Sequence, residues 1–249
     1  MSTQSGPKEG GLVRIASIVV LACLLAVVIR IFLFQPFNVT SGSMEPTLLV
    51  GDYFFLSKYA YGYSRFSLPF SPPTFGGRIW ARQPQRGDVV VFRYPKDDRV
   101  EFVKRVVGLP GDRIQLIDDV LQINGEPVKR ERVGDVVDRD ELGPIPAVRH
   151  WRETLPNGAT YTTNELVGRR YGPVTTRVYD IPAGHCFIIG DNRDNSRDSR
   201  DLSDIGYVPF ENIIGRAQII FFSIEGEHAW MIWRWPWAVR WSRLFNLVR

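Results

Sequence analysis

The sequence predicts a mainly β protein carried on one N-terminal transmembrane helix. Three observations predict it: one almost wholly apolar run near the N-terminus, a succession of short strand-like segments after it, and no long amphipathic helix among those segments. The 249 residues suffice for one sizeable core or two small ones. The net charge of +4 is modest, its arginines gather near both ends, and neither a basic stripe nor a nucleic-acid-binding motif is visible, so no nucleic acid is expected as a partner. Cys23 falls inside the apolar run and Cys186 in a later strand, which provides no disulfide framework and no Cys/His metal spacing. His150, His185 and His228 are scattered and read as surface or packing residues rather than ligands.

Taken in order, residues 1–11 are small and polar and form a tail. Residues 12–34 are apolar apart from Arg14 and Arg30. As a helix they span roughly 34 Å, close to the ~30 Å hydrocarbon core, with both arginines able to snorkel toward headgroups. A cleaved signal peptide would need small residues after the run, whereas Phe32, Phe34 and Phe37 stand there. An uncleaved anchor is therefore expected. Lys8 and Arg14 on its short N-terminal side keep the tail cytoplasmic and place residues 35–229 across the membrane.

In that exported part, 51–58, 88–94, 100–107, 113–117, 120–123, 174–181, 185–189 and 213–222 carry strand signatures. Asn124-Gly125 predicts a tight turn, with 126–130 as the returning strand. Residues 59–85 are rich in Gly, Pro, Phe and Tyr and suggest a surface ribbon close to the bilayer. Residues 130–172 are polar and irregular; with their flanks they mark a smaller variable β subdomain inserted over 115–181. The last stretch, 230–249, alternates Trp230, Trp233, Trp235, Trp237 and Trp241 with Arg234, Arg240 and Arg243. That composition suits a membrane-proximal tail in contact with lipid, and Trp241, Leu244, Phe245 and Val248 have the spacing of a short interfacial helix.

Three stretches carry chemistry. In Ser41-Gly42-Ser43-Met44-Glu45-Pro46, Gly42 permits a tight bend, Pro46 fixes the chain behind it, and Ser43 can present its hydroxyl beside a backbone N–H. In Val100-Glu101-Phe102-Val103-Lys104-Arg105-Val106, strand alternation leaves Lys104 the lone polar residue on a face with Val100, Phe102 and Val106, while Glu101 and Arg105 share the other face and can pair. A lysine so placed either snorkels at a sheet edge or is desolvated, its charged form disfavoured. In the second case its neutral amine can take a proton from a serine. The third stretch, Gly190 to Arg200, is dense in Asp, Asn, Arg and Ser and follows directly on an apolar strand. It lacks calcium-loop spacing and reads as a solvated turn or as a networked loop at the rim of a site.

Together these stretches resemble the bacterial type I signal peptidases. SGSMEPTL resembles the family's nucleophile box, FVKRVVGLPGD its lysine box, and GDNRDNSRDSR its third box, in the family's order and behind a membrane anchor. The resemblance implies a coiled antiparallel β-sheet catalytic domain. It implies Ser43 as nucleophile, Lys104 as general base, and the Ser43 N–H with the Ser41 hydroxyl as oxyanion hole. Ser196 would orient the Lys104 amine, and Asp191, Asn192, Asp198 and Arg200 would brace the loop. Val39, Met44, Leu48, Phe102 and Val103 would line shallow pockets for small residues. It implies no cofactor and no metal. It implies a membrane serine endopeptidase that acts on exported preproteins at the outer face of the bacterial inner membrane, in transient contact with the export translocon. A dedicated pilin- or conjugation-maturation peptidase and an inactive signal-peptide-binding homologue are the alternatives.

Overall fold

The structure, a computed structural model, describes residues 9–69, 71–72, 75–136, 139–140, 143–144, 148–167, 174–225 and 235–249. Helix α1 (Glu9–Phe32) opens the chain. Sixteen strands follow: β1 (Phe34–Asn38), β2 (Asp52–Ser57), β3 (Val89–Tyr94), β4 (Asp97–Gly108), β5 (Arg113–Ile117), β6 (Val120–Ile123), β7 (Glu126–Pro127), β8 (Lys129–Val136), β9 (Arg139–Asp140), β10 (Gly143–Pro144), β11 (Val148–Thr154), β12 (Thr160–Leu166), β13 (Tyr179–Asp180), β14 (His185–Ile189), β15 (Val208–Pro209) and β16 (Ile213–Ser223). A short α2 (Trp235–Ala238) precedes the end. The protein is mainly β, as its sequence predicts.

The span Val13–Phe32 of α1 is long and apolar enough to cross a membrane, and none of it is buried against the rest of the protein. Its leucines and valines have no protein to cover them, which fits a membrane anchor. The helix stops short of the expected boundary: Phe34 already belongs to β1, which pairs with β2. An aromatic run of the form Phe-Leu-Phe-Gln-Pro-Phe continues the hydrophobicity of the helix, so composition alone does not show where the backbone changes.

The main sheet has seven antiparallel strands in the order β1-β2-β16-β3-β4-β14-β15. Its central strands are apolar on both faces. On β3, Val89 and Val91 enter one core cluster with Val39, Met44, Leu48, Phe54 and Leu56. Val90 and Phe92 enter another with Val106, Cys186 and Ile188. Such a doubly covered strand reads as a continuous hydrophobic run rather than an alternation. A four-stranded sheet, β13-β5-β6-β7, contributes Ile114, Leu116, Leu121 and Ile123 to a third cluster shared with Phe187 and Ile189 of β14.

The region read as irregular contains a three-stranded sheet, β12-β11-β8. The returning strand expected over 126–130 is only the two residues of β7, and Lys129 onward joins this other sheet. Of the strand expected over 174–181, only Tyr179–Asp180 is a strand. The helix expected at the end is also absent. Trp241–Arg243 makes one short helical turn and Phe245 adopts φ +64°, which ends it. Trp230, Trp233 and Arg234 lie outside the described residues; Trp237 and Trp241 are exposed, while Trp235 packs against Phe222.

Candidate active site

Ser43 sits in a one-turn 3-10 helix, Gly42–Met44, between β1 and β2. Its turn is held from behind by the loop after β14. The Asn192 N–H donates to the Ser43 carbonyl (3.1 Å) and the Asn192 side-chain amide to the Gly42 carbonyl (3.1 Å). Gly190 must be glycine for this approach, because a Cβ there would lie 2.5 Å from the Ser43 carbonyl oxygen and 2.2 Å from Ser196 Oγ.

Lys104, on β4, is 2% exposed and its Nζ lies 2.6 Å from Ser43 Oγ. The amine also donates to the Val103 carbonyl (3.0 Å), and no carboxylate pairs with it among the described residues. Burial pulls its pKa down to about 8, against the pull of Asp198 and Asp191, which favour the ammonium. A buried amine at that value is neutral in about a tenth of molecules at pH 7, far more than an ordinary lysine. Both residues face a cavity of about 480 Å³ lined by Val39, Ser41, Met44, Phe102, Val103 and Ser196 among others. Ser41 is exposed at its edge and its hydroxyl caps no helix.

Three expectations need correction. Leu48 does not line the cavity; it is fully buried in the cluster with Val39, Met44 and Phe54, beneath the Ser43 turn. Glu101 and Arg105 do not pair with each other. Glu101 pairs with Arg93 on the neighbouring strand (2.9 Å), while Arg105 turns inward to Asp191. The expected Ser196–Lys104 hydrogen bond is not formed in this arrangement: the buried Ser196 hydroxyl lines the cavity but makes no hydrogen bond of good geometry.

A buried polar layer lies behind the site. Arg105 Nε donates to Asp191 (2.8 Å), Arg105 Nη1 to the Gly87 carbonyl (2.7 Å), and the Thr47 hydroxyl to Asp191 (2.6 Å). Arg200 pairs with Asp198 (2.8 Å), whose carboxylate also accepts the Gly190 N–H (3.0 Å). Arg193 donates to Glu153 of β11 (3.0 Å), which also takes the Tyr161 hydroxyl (2.9 Å). The polar three-stranded sheet thus props the loop that props Ser43. Sequence reading missed Arg105, Arg193, Thr47 and Glu153. Glu153 carried no signal, because its partner lies in another sheet-and-loop unit. Arg105 did carry one: an arginine beside a lysine within the otherwise apolar second half of β4, from Phe102 to Gly108.

A serine hydroxyl against a buried amine whose neutral form burial favours, at the floor of an apolar cleft, is what a serine peptidase without histidine requires. A family model described as signal peptidase, peptidase S26, matches residues 12–222. The chain is 47% identical over 219 residues to the signal peptidase I of Rickettsia typhi, covering 84% of this chain and 80% of that one. It is 48% identical over 210 residues to that of Rickettsia akari, covering 81% and 76%. A solved signal peptidase I from Enterococcus faecalis V583 is similar over 54% of this chain and 97% of its own, at 24% identity and a TM-score of 0.32. The chain belongs to the signal peptidase family, peptidase S26.

Proposed function

We propose that this membrane-anchored enzyme removes N-terminal signal peptides from exported preproteins by cutting after small-X-small sites, with Ser43 as nucleophile and Lys104 as general base. The observation that carries the assignment is the 2.6 Å contact between Ser43 Oγ and a buried amine whose neutral form burial favours. Neutral Lys104 takes the Ser43 proton as Oγ attacks the carbonyl of the scissile bond. The Ser43 N–H and the Ser41 hydroxyl stabilise the oxyanion. The resulting ammonium hands its proton to the departing amine of the mature protein, leaving an acyl-enzyme on Ser43. Water enters, loses a proton to the same lysine, and releases the signal peptide. Ser196, which lines the same cleft, orients the amine once substrate excludes water, and Asp191, Asn192, Asp198 and Arg200 hold the loop in place.

Val39, Met44, Phe102 and Val103 wall the cleft and select alanine-sized groups by crowding larger ones next to Ser43. The helix orients the enzyme with its tail in the cytoplasm and its catalytic domain on the outer face of the bacterial inner membrane, beside lipid and the export translocon. That location brings the site to the point where a signal peptide's cleavage site emerges. The test is processing of a preprotein with an Ala-X-Ala site in detergent by wild type, Ser43→Ala and Lys104→Ala. Cleavage at that site by wild type alone supports the assignment. Cleavage that persists in Ser43→Ala overturns the nucleophile, and no wild-type cleavage by folded protein points instead to a dedicated substrate or an inactive binder.

A further inference from the structure

Strand β16 is flanked by β2 along most of its length, through Ser223, but by β3 only over 213–216. Its remaining edge would expose backbone donors and acceptors. The end of the chain covers that edge. The Phe245 N–H donates to the Ile220 carbonyl (2.7 Å), the Ile220 N–H to the Asn246 carbonyl (2.9 Å) and the Val248 N–H to the Gln218 carbonyl (2.8 Å). Leu247 forms an antiparallel bridge with Ile219. The strap's side chains contribute unevenly to the core: Phe245 is 72% exposed and Leu247 55%, whereas Val239 is buried and Val248 packs against the cluster of Val39, Met44 and Leu48.

What the strap does reach is the support of the Ser43 turn, at two places. Arg243 Nε donates to the fully buried Asp52 (3.0 Å), and its Nη2 donates to the Thr47 carbonyl (2.9 Å). The main-chain oxygen of Arg249 accepts from Arg105 Nη2 (3.1 Å). Thr47 is four residues from Ser43 in the chain and bonds Asp191 through its hydroxyl; Arg105 adjoins Lys104 and holds Asp191 from the other side. The strap therefore ends on the two groups that fix where nucleophile and base stand relative to each other.

We infer that residues 239–249 are a positioning strap for the reaction, acting through Arg243 on Thr47 and through the Arg249 main chain on Arg105. This rests on the reading of Ser43 and Lys104 given above. The test uses the full chain in detergent with an Ala-X-Ala peptide, comparing wild type with a variant that stops after Asn246, with Arg243→Ala and with Arg243→Lys. Misplacing reacting groups by a fraction of an ångström lowers kcat while substrate binding survives, so kcat falls about tenfold or more in the truncated and Arg243→Ala proteins. KM and the far-UV circular dichroism stay near wild type. Arg243→Lys recovers part of the loss, because an ammonium still donates at that point. Wild-type kcat in a folded truncated variant overturns the inference, as does a raised KM with kcat unchanged. If the truncated chain does not fold, Arg243→Ala decides: a lowered Tm with kcat unchanged assigns the strap to stability alone. Ser43→Ala is run alongside. Its residual cleavage would strike the nucleophile reading itself, whereas a dead Ser43→Ala beside fully active strap variants strikes only the strap.

Discussion

Among the described residues two lysines are buried, and they face different groups. Lys104 is 2% exposed and Lys58 4%, and in both burial draws the amine down to about 8. At Lys58 the nearby Arg30 and Arg93 add to the effect. Yet the Lys58 amine donates to the Ser67 carbonyl (2.7 Å), in a junction where Tyr63 also bonds the end of the membrane helix. The Lys104 amine meets a serine hydroxyl at the floor of a cleft. A perturbed amine is thus a consequence of burial and becomes a base only through what it faces. At Lys58 burial leaves the amine on a backbone carbonyl; at Lys104 it leaves the amine on a hydroxyl, which is what the proposed proton transfer uses.

The comparison breaks most directly in a cleavage assay. Lys104→Met and Ser43→Ala are each expected to lower kcat/KM by on the order of a thousandfold or more, since base and nucleophile act as one unit. Lys58→Met removes an equally perturbed amine and is expected to leave kcat close to wild type in the folded protein. Equal losses in Lys58→Met and Lys104→Met would mean that facing a hydroxyl confers nothing.

A second measurement sharpens it through pH. The proton-accepting form of Lys104 is the neutral one, so kcat/KM should rise with pH, tenfold per unit at most, and level off above about 8. Lys58→Met should leave that midpoint in place. A profile flat from pH 6 to 9 would contradict an amine base at this position.

Stability carries the same information with a smaller effect. A lysine whose folded pKa is about 8, against about 10.4 unfolded, binds fewer protons folded than unfolded between those values. Stability therefore rises with pH across that window, and below it the full cost of the buried ammonium is felt. Lys104→Met is expected to be more stable than wild type at pH 6, by up to about 3 kcal/mol, with the advantage shrinking from about pH 8 and largely gone by about pH 10. Denaturant unfolding of both proteins at the two pH values checks this. An active site that sacrifices stability in this way is a usual trade.

Much of this was legible in the sequence because strand period and turn chemistry are local. The eleven residues of β16 and the Asn124-Gly125 turn needed no tertiary information, and Lys104 stood out because alternation put it on an apolar face. What was not legible is non-local. The strap over 239–249 has helical spacing at Trp241, Leu244, Phe245 and Val248, but the unpaired edge of β16 offers its backbone better partners than a short helix would. The polar three-stranded sheet buries Glu153 against Arg193, a pairing between distant segments that a polar composition hides. Leu48 was assigned to the cleft on the family resemblance; the chain beyond the bend at Gly42–Met44 instead places it in the core.

That last difference yields the finest test, between two apolar residues both first assigned to substrate. Val103 lines the cleft, whereas Leu48 lies under it. Leu48→Ala opens a void in a packed cluster and should cost about 2–5 kcal/mol of stability, while the enzyme that remains folded keeps its preference for alanine-sized residues. Val103→Ala should cost less stability but widen the cleft, so that valine or leucine near the scissile bond is accepted. A methylene or two in such a pocket is worth about 1–3 kcal/mol of discrimination. Competition between preproteins carrying Ala-X-Ala and Val-X-Ala sites reads the difference. If Leu48→Ala relaxes the choice and Val103→Ala does not, the wall of the cleft has been drawn on the wrong side of the Ser43 turn.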